Sequence, residues 1–98
     1  MTAYVDKAEW EWRGKRWCHL LADSLDELHG FARKLGMRRE WFQEPGKGVK
    51  YPHYDLTESK QQLALSLGAQ LADKRLIIER ARALRLEYLA GPAQTSLL

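Results

Sequence analysis

Two histidine–aspartate pairs stand out in this chain of 98 residues. His19 and Asp23 lie four apart in WCHLLAD, and His53 and Asp55 lie two apart in HYD. Residues separated by an even number share one face of a β-strand. Each pair would therefore present an imidazole and a carboxylate to the same side. Asp6, in the opening AYVD, adds a third carboxylate. Such donors suit Mn²⁺, Zn²⁺ or Fe²⁺, and an ion with an open position activates water. The set to test is His19, Asp23, His53 and Asp55 as the reactive group, with Asp23, His53 and Asp55 as the metal ligands. A structural alternative stands beside it. Asp23 and Asp55 precede expected helix starts and would there satisfy free N–H groups and the helix dipole. His19 would then be a strand histidine bonded to a backbone carbonyl. Neither pair has a spacing as diagnostic as HExxH.

A second group of residues suits an anion. Arg13, Lys15 and Arg16 lie on an expected turn, and Lys47 and Lys50 lie in EPGKGVKYP. Together with helix N-termini they would receive a phosphate. GKGVK lacks the spacing of a P-loop. The nearby aspartates favour such an anion only if a cation bridges the two, so a nucleotide phosphate on a metal would use both sets. Trp10, Trp12 and Trp17 flank Arg13 and Arg16. Aromatic rings beside arginine stack on nucleobases, although in a short chain tryptophans more often fill the core. Cys18 adjoins His19 but points to the opposite face of a strand, which makes it a core thiol rather than an activated nucleophile.

The elements that must position these residues follow from periodicity and punctuation. AYVD (3–6) suits a first strand. WEW alternates tryptophan with glutamate, and Gly14 supplies a tight turn into WCHLLA (17–22), a hairpin pattern. Ser24 and Glu27 have capping-box spacing. Leu25, Leu28, Ala32 and Leu35 then recur at helical intervals until Gly36. MRREWF (37–42) is expected to be a second core strand. Residues 44–52 form a loop, a candidate flap over His53. HYD is extended, and Thr57 caps a second helix through Leu63, Ala64 and Leu67 to Gly68. AQLA is a short strand. Asp73 caps a third helix, 74–89, with Ile77, Ala81, Leu84 and Tyr88 as its buried stripe. Aligning Asp23 with Asp55 also aligns Leu35-Gly36 with Leu67-Gly68, so two strand–helix units succeed one another. The fold class is α/β: one domain over residues 1–91, with three to five short strands covered by about three helices. Residues 92–98 are expected to be a flexible tail.

Composition narrows the function classes. With 45% hydrophobic and 30% charged residues the chain is ordinary for a globular domain. It contains no run long enough for a bilayer and no apolar leader. A single cysteine excludes an internal disulfide. The expected location is the cytoplasm, with no membrane partner. The net charge is +3, and five basic against two acidic residues in 74–87 make the third helix basic. That helix, 74–89, is the expected surface for a second copy or a partner protein, and the mild basicity is compatible with a nucleotide or nucleic acid.

An opening YVD, then WxWRGxRWCHLLADSLDELHxFA, WFQ, and HYDLT before a helix ending in LGA resemble the family called domain of unknown function 4031, whose members are small bacterial and phage proteins. The matching stretches are Tyr4 to Asp6, Trp10 to Ala32, Trp41 to Gln43 and His53 to Ala69. The third helix lies outside the part that carries the resemblance, which implies no activity. Three readings therefore stand: a binding module for a phosphorylated ligand at a His/Asp-lined sheet edge, a metal-dependent phosphoester hydrolase, and an accessory domain that works through a protein partner. A divalent metal is the one cofactor these residues suggest, and whether the protein is an enzyme stays open at this stage.

Overall fold

The computed structural model describes residues 2–91; the expected tail, 92–98, lies outside them. A mixed five-stranded sheet carries three helices. In chain order the elements are β1 (Ala3–Val5), β2 (Trp10–Trp12), β3 (Lys15–Ala22), α1 (Leu25–Lys34), a 3₁₀ turn (Arg39–Trp41), β4 (Tyr54–Thr57), α2 (Glu58–Ser66), β5 (Gln70–Leu71) and α3 (Lys74–Ala90). β3 is the organising strand. β1 and β2 pair antiparallel with successive parts of it, β4 pairs antiparallel with it, and β5 runs parallel to β1. No helix among the described residues is long and apolar enough to cross a membrane.

Local chemistry explains the element boundaries. Arg13 and Gly14 both hold positive φ, 52° and 73°, which is the type I′ geometry whose twist matches a two-residue hairpin. Ser24, Thr57 and Asp73 each accept a backbone N–H three residues on, from Glu27, Lys60 and Leu76. These are the three expected caps. The return half of the capping box is absent, because Glu27 Oε2 is buried without a partner. α1 ends in a Schellman pair, Met37 N–H to Ala32 C=O and Gly36 N–H to Arg33 C=O. α2 ends the same way through Ala69 to Ala64 and Gly68 to Leu65. The Leu-Gly likeness between the two units is thus the likeness of two helix stops.

Alternation along β3 sorts the layers. Cys18 and Leu20 pair with Leu56 and Tyr54, and this face receives α1 and α2. The Tyr54 hydroxyl meets His29 of α1 at 2.8 Å. Burial lowers the pKa of His29, Arg39 lowers it further, and Asp26 opposes the shift. On the opposite face lie Tyr4, Leu21, His19 and Asp23, and α3 crosses their end of the sheet. Arg80 of α3 reaches Asp23, which also accepts the Tyr4 hydroxyl at 2.8 Å. β1 is therefore buried on both sides. Over the half of this face formed by β2, the start of β3 and β4, only loop residues 48–51 approach, near Trp10, His19 and Asp55.

Two expectations need correction, on residues 37–42 and on the loop 44–52. Residues 37–42 do not form a strand: β4 already occupies that edge of β3, and 39–41 wind into an exposed 3₁₀ turn flanked by Met37 and Phe42, which pack inward, Phe42 4.5 Å from the His29 ring. α2 buries Gln61 and Ala64, whereas Leu63 and Leu67 face solvent. The loop 44–52 is tied down rather than free. Arg85 donates to the Lys50 carbonyl, Tyr88 to Glu44, and Gly46 bridges Val49.

Candidate metal centre

The site grows out of the register between β3 and β4. His19 lies directly opposite Asp55 in an antiparallel pair. His53 stands two residues before Asp55, on the same face, and its backbone is fixed by reciprocal hydrogen bonds with Gln43. Of the two expected pairs, His19 from the first meets both members of the second, whereas Asp23 does not. The three meet across a ladder of antiparallel strands, not beyond the carboxyl ends of parallel strands. The chain makes two passes between β3 and β4, one as α1 and one through 37–52, so β4 enters from the opposite end.

A bulge supplies the clamp on His19. Val5 pairs with Leu20 and Trp10 with Trp17, so the four residues 6–9 face only Cys18 and His19. The extra residues lift Asp6 out of the ladder. Its carboxylate then accepts the His19 backbone N–H at 2.7 Å and meets ring Nδ1 at 2.8 Å. Buried Gln61 holds the Asp6 carbonyl at 2.7 Å from the other side.

These contacts fix the Nδ1 end of both rings. A carboxylate accepts, so Nδ1 of His19 carries hydrogen, and in the neutral ring Nε2 keeps a lone pair. His53 Nδ1 lies 2.8 Å from the Tyr51 carbonyl, which also only accepts. That ring too directs Nε2 outward, 3.2 Å from Asp55 Oδ1. A neutral imidazole lone pair and a carboxylate at this separation are two acceptors without a donor. A proton or a cation between them removes the conflict. One donor atom from each of His19, His53 and Asp55 lies within 4.8 Å of the others. Donors around one ion at ~2.1 Å sit roughly 3 Å apart, a contraction that small side-chain rotations supply. Asp6 and the Tyr51 carbonyl hold the place of the outer partners that orient metal-bound histidines.

The surroundings are aromatic and half-open. The Trp10 ring lies 4.6 Å from His19, and Tyr51 lies 4.9 Å from His53 and 6.0 Å from His19. Burial raises the Tyr51 pKa, and the charges of Asp6 and Asp55 raise it further, so the hydroxyl stays protonated as a donor. Two hollows adjoin at His19 and Tyr51. One, about 390 Å³, is walled by Trp10, Gly48, Lys50 and Asp55. The other, about 470 Å³, opens toward Lys7, Lys74 and the start of α3.

The remaining sequence candidates separate. Asp23 is not brought to the cluster. Four residues along β3 place it ~13 Å from His19, where Tyr4 and Arg80 occupy it. Arg13 lies over the Trp12 ring at 4.4 Å, and Lys15 pairs across from Trp12. Arg16 pairs with Glu11 on the other face of the hairpin, beside Gln61 and Glu58. Cys18 is fully buried, and its thiol is pushed up to about 12 by burial, with Asp6, Asp55 and Glu58 adding. Tyr51 was missed in the sequence. Its position two residues before His53 in an extended run was the available signal.

Fold and site together define a small α/β protein with a histidine–carboxylate cluster on the open half of a mixed sheet. The chain belongs to the family described as Protein of unknown function (DUF4031), whose profile matches residues 3–84. The match runs well into α3, beyond the part expected from the motifs. No curated protein and no solved structure matches the chain.

Proposed function

We propose that this protein is a metal-dependent phosphoester hydrolase whose divalent ion is held by His19, His53 and Asp55. The observation that carries the reading is that one donor atom each of His19, His53 and Asp55 lies within 4.8 Å of the others, with each histidine Nδ1 already hydrogen-bonded to an acceptor. Three protein donors leave positions for water and a phosphoryl oxygen. In this reading the Tyr51 hydroxyl donates to that oxygen and Lys50 lines the approach for an anion, while on the side of Lys7 and Lys74 the charges of Asp6, Glu9 and Asp73 oppose it unless a cation is bound. Asp23 has no part in this reading.

The test is metal content and phosphodiester turnover, measured on untagged protein purified without chelator and then supplied with manganese or zinc. The expected result is close to one ion per chain and measurable cleavage of an activated aryl phosphodiester, both lost in His53→Ala and in Asp55→Asn. Absence of metal after soaking would sink the proposal. A second reading, a module that binds phosphate through the ion without cleaving it, is favoured by the openness of the site: side-chain exposure is 28% at His19 and 33% at Asp55, and a site this open excludes little water. One bound ion and phosphate affinity without turnover is its signature.

A further inference from the structure

The tryptophans were expected to fill the core, and they do not. The buried cluster and the side chains packed against it contain none of the four. Trp12 is 53% exposed and Trp41 47%, while Trp10 and Trp17 are half-buried. Three of them share one face of the β2–β3 hairpin. Trp10 is directly opposite Trp17, and Trp12 meets Trp17 edge-on with ring centroids 5.6 Å apart. The Trp17 indole N–H donates to the Trp12 carbonyl at 2.9 Å, which pins the ring in place. The charges on this face are Arg13 over Trp12 and Lys15 opposite it, whereas alternation sends Glu11 to the other face with Arg16. The strip does not stop at the hairpin. Trp10 continues it to the His19 ring at 4.6 Å.

A row of indoles, Trp12 exposed and Trp10 and Trp17 half-buried, with interspersed cations, on a sheet face that no helix covers, is the chemistry that holds unpaired bases and their phosphates. We infer that this face binds single-stranded nucleic acid, with bases stacked on Trp12, Trp17 and Trp10 and the backbone followed by Arg13 and Lys15. The strand is thereby led toward His19, His53 and Asp55. Binding stands on the hairpin alone. Only the statement that a phosphoester of the strand reaches the cluster rests on the metal reading. Asp6 and Asp55 are the carboxylates at that end of the strip, and a bound cation offsets them there.

The experiment is fluorescence anisotropy of a short end-labelled oligothymidylate on the full chain, in chelator and again with manganese. Binding in chelator is expected, with quenching of tryptophan emission. Trp12→Ala, at an exposed position, is expected to weaken it roughly tenfold, while Trp41→Ala, outside the hairpin, leaves it unchanged. Arg13→Gln and Lys15→Gln each lower the slope of log affinity against log salt by about 0.7. Equal affinity of wild type and Trp12→Ala overturns the inference. So does absence of binding together with a concentration-dependent dimer that Trp12→Ala dissolves, because the face is then a contact between copies of this chain. Binding in chelator with no metal uptake leaves the inference standing and removes the hydrolase, whereas metal uptake and turnover without strand binding does the reverse.

Discussion

Asp6 accepts two hydrogens from one residue, the His19 amide and its Nδ1–H. That double acceptance decides which nitrogen of His19 carries hydrogen in the neutral ring. In Asp6→Asn the amide oxygen still takes the backbone N–H, but the NH₂ group turns a donor toward Nδ1. The ring then accepts at Nδ1 and carries its hydrogen on Nε2, where it has no lone pair for an ion. Outer partners of this kind are worth 10–100-fold in metal affinity. The expected outcome for Asp6→Asn is a loss of about that size in a manganese or zinc titration. Nitrogen-15 NMR of the histidines reports the tautomer switch directly and without metal. An unchanged His19 tautomer in the variant would remove Asp6 from this role. Cys18 makes the opposite point at the same scale. It is next to His19 in sequence, yet full burial and a thiol pushed up to about 12 leave it no part in the site.

At the scale of elements, the β2–β3 turn holds an arginine where the geometry favours asparagine or glycine. Arg13 sits at φ 52°, left-handed space that costs an ordinary L-residue ~1–2 kcal/mol. Asparagine tolerates it better and, followed by Gly14, forms the preferred type I′ pair. Arg13→Asn is therefore expected to raise stability by about 0.5 kcal/mol after loss of the exposed cation–π contact, read as a higher urea midpoint at unchanged slope. Affinity for the oligonucleotide should fall in the same variant. A destabilised Arg13→Asn would mean that the contact with Trp12 outweighs the backbone strain. The same turn shows what the sequence reveals and what it hides. Gly14 between alternating residues, the caps at Ser24, Thr57 and Asp73, and the stops at Gly36 and Gly68 were legible because each is settled within about five residues. The bulge at 6–9 was not, since it exists only relative to β3. Nor was the antiparallel entry of β4, which depends on the path taken through 37–52. His19, His53 and Asp55 could be suspected from residue type and parity. That Asp6 completes them and Asp23 does not is a matter of register, which composition and spacing do not carry.

At the scale of the whole molecule, the division of the sheet face is set by α3. Ile77, Ala81 and Leu84 bury one stripe of this helix, and polar ties hold it at intervals: Glu87 accepts the Leu25 N–H, Arg85 reaches the Lys50 carbonyl, and Arg80 reaches Asp23. Asp23 is the junction of three elements. Its carboxylate takes the Tyr4 hydroxyl from β1 and the Arg80 guanidinium from α3, while its own N–H is held by Thr2. Burial raises the Tyr4 pKa, as does the hydrogen bond to Asp23, so the hydroxyl remains a donor across the ordinary pH range. The Arg80 Nε is already buried without a partner, and removing Asp23 would take away the acceptor for its Nη1. A hydrogen bond to a charged group contributes ~1.5–3 kcal/mol when buried. With the Asp23 and Arg80 side chains about one-third exposed, solvent screening brings the expected cost of Asp23→Ala to about 1 kcal/mol. This is the variant that separates a fold residue from a site residue. It should lower the thermal midpoint by several degrees, as ~1 kcal/mol does for a domain of this size, and leave metal content per folded chain equal to wild type. His53→Ala should do the reverse. If Asp23→Ala lost the ion while keeping its stability, the ligand set would have to be redrawn to include Asp23, and the β3 register that holds it ~13 Å from His19 would have to be wrong.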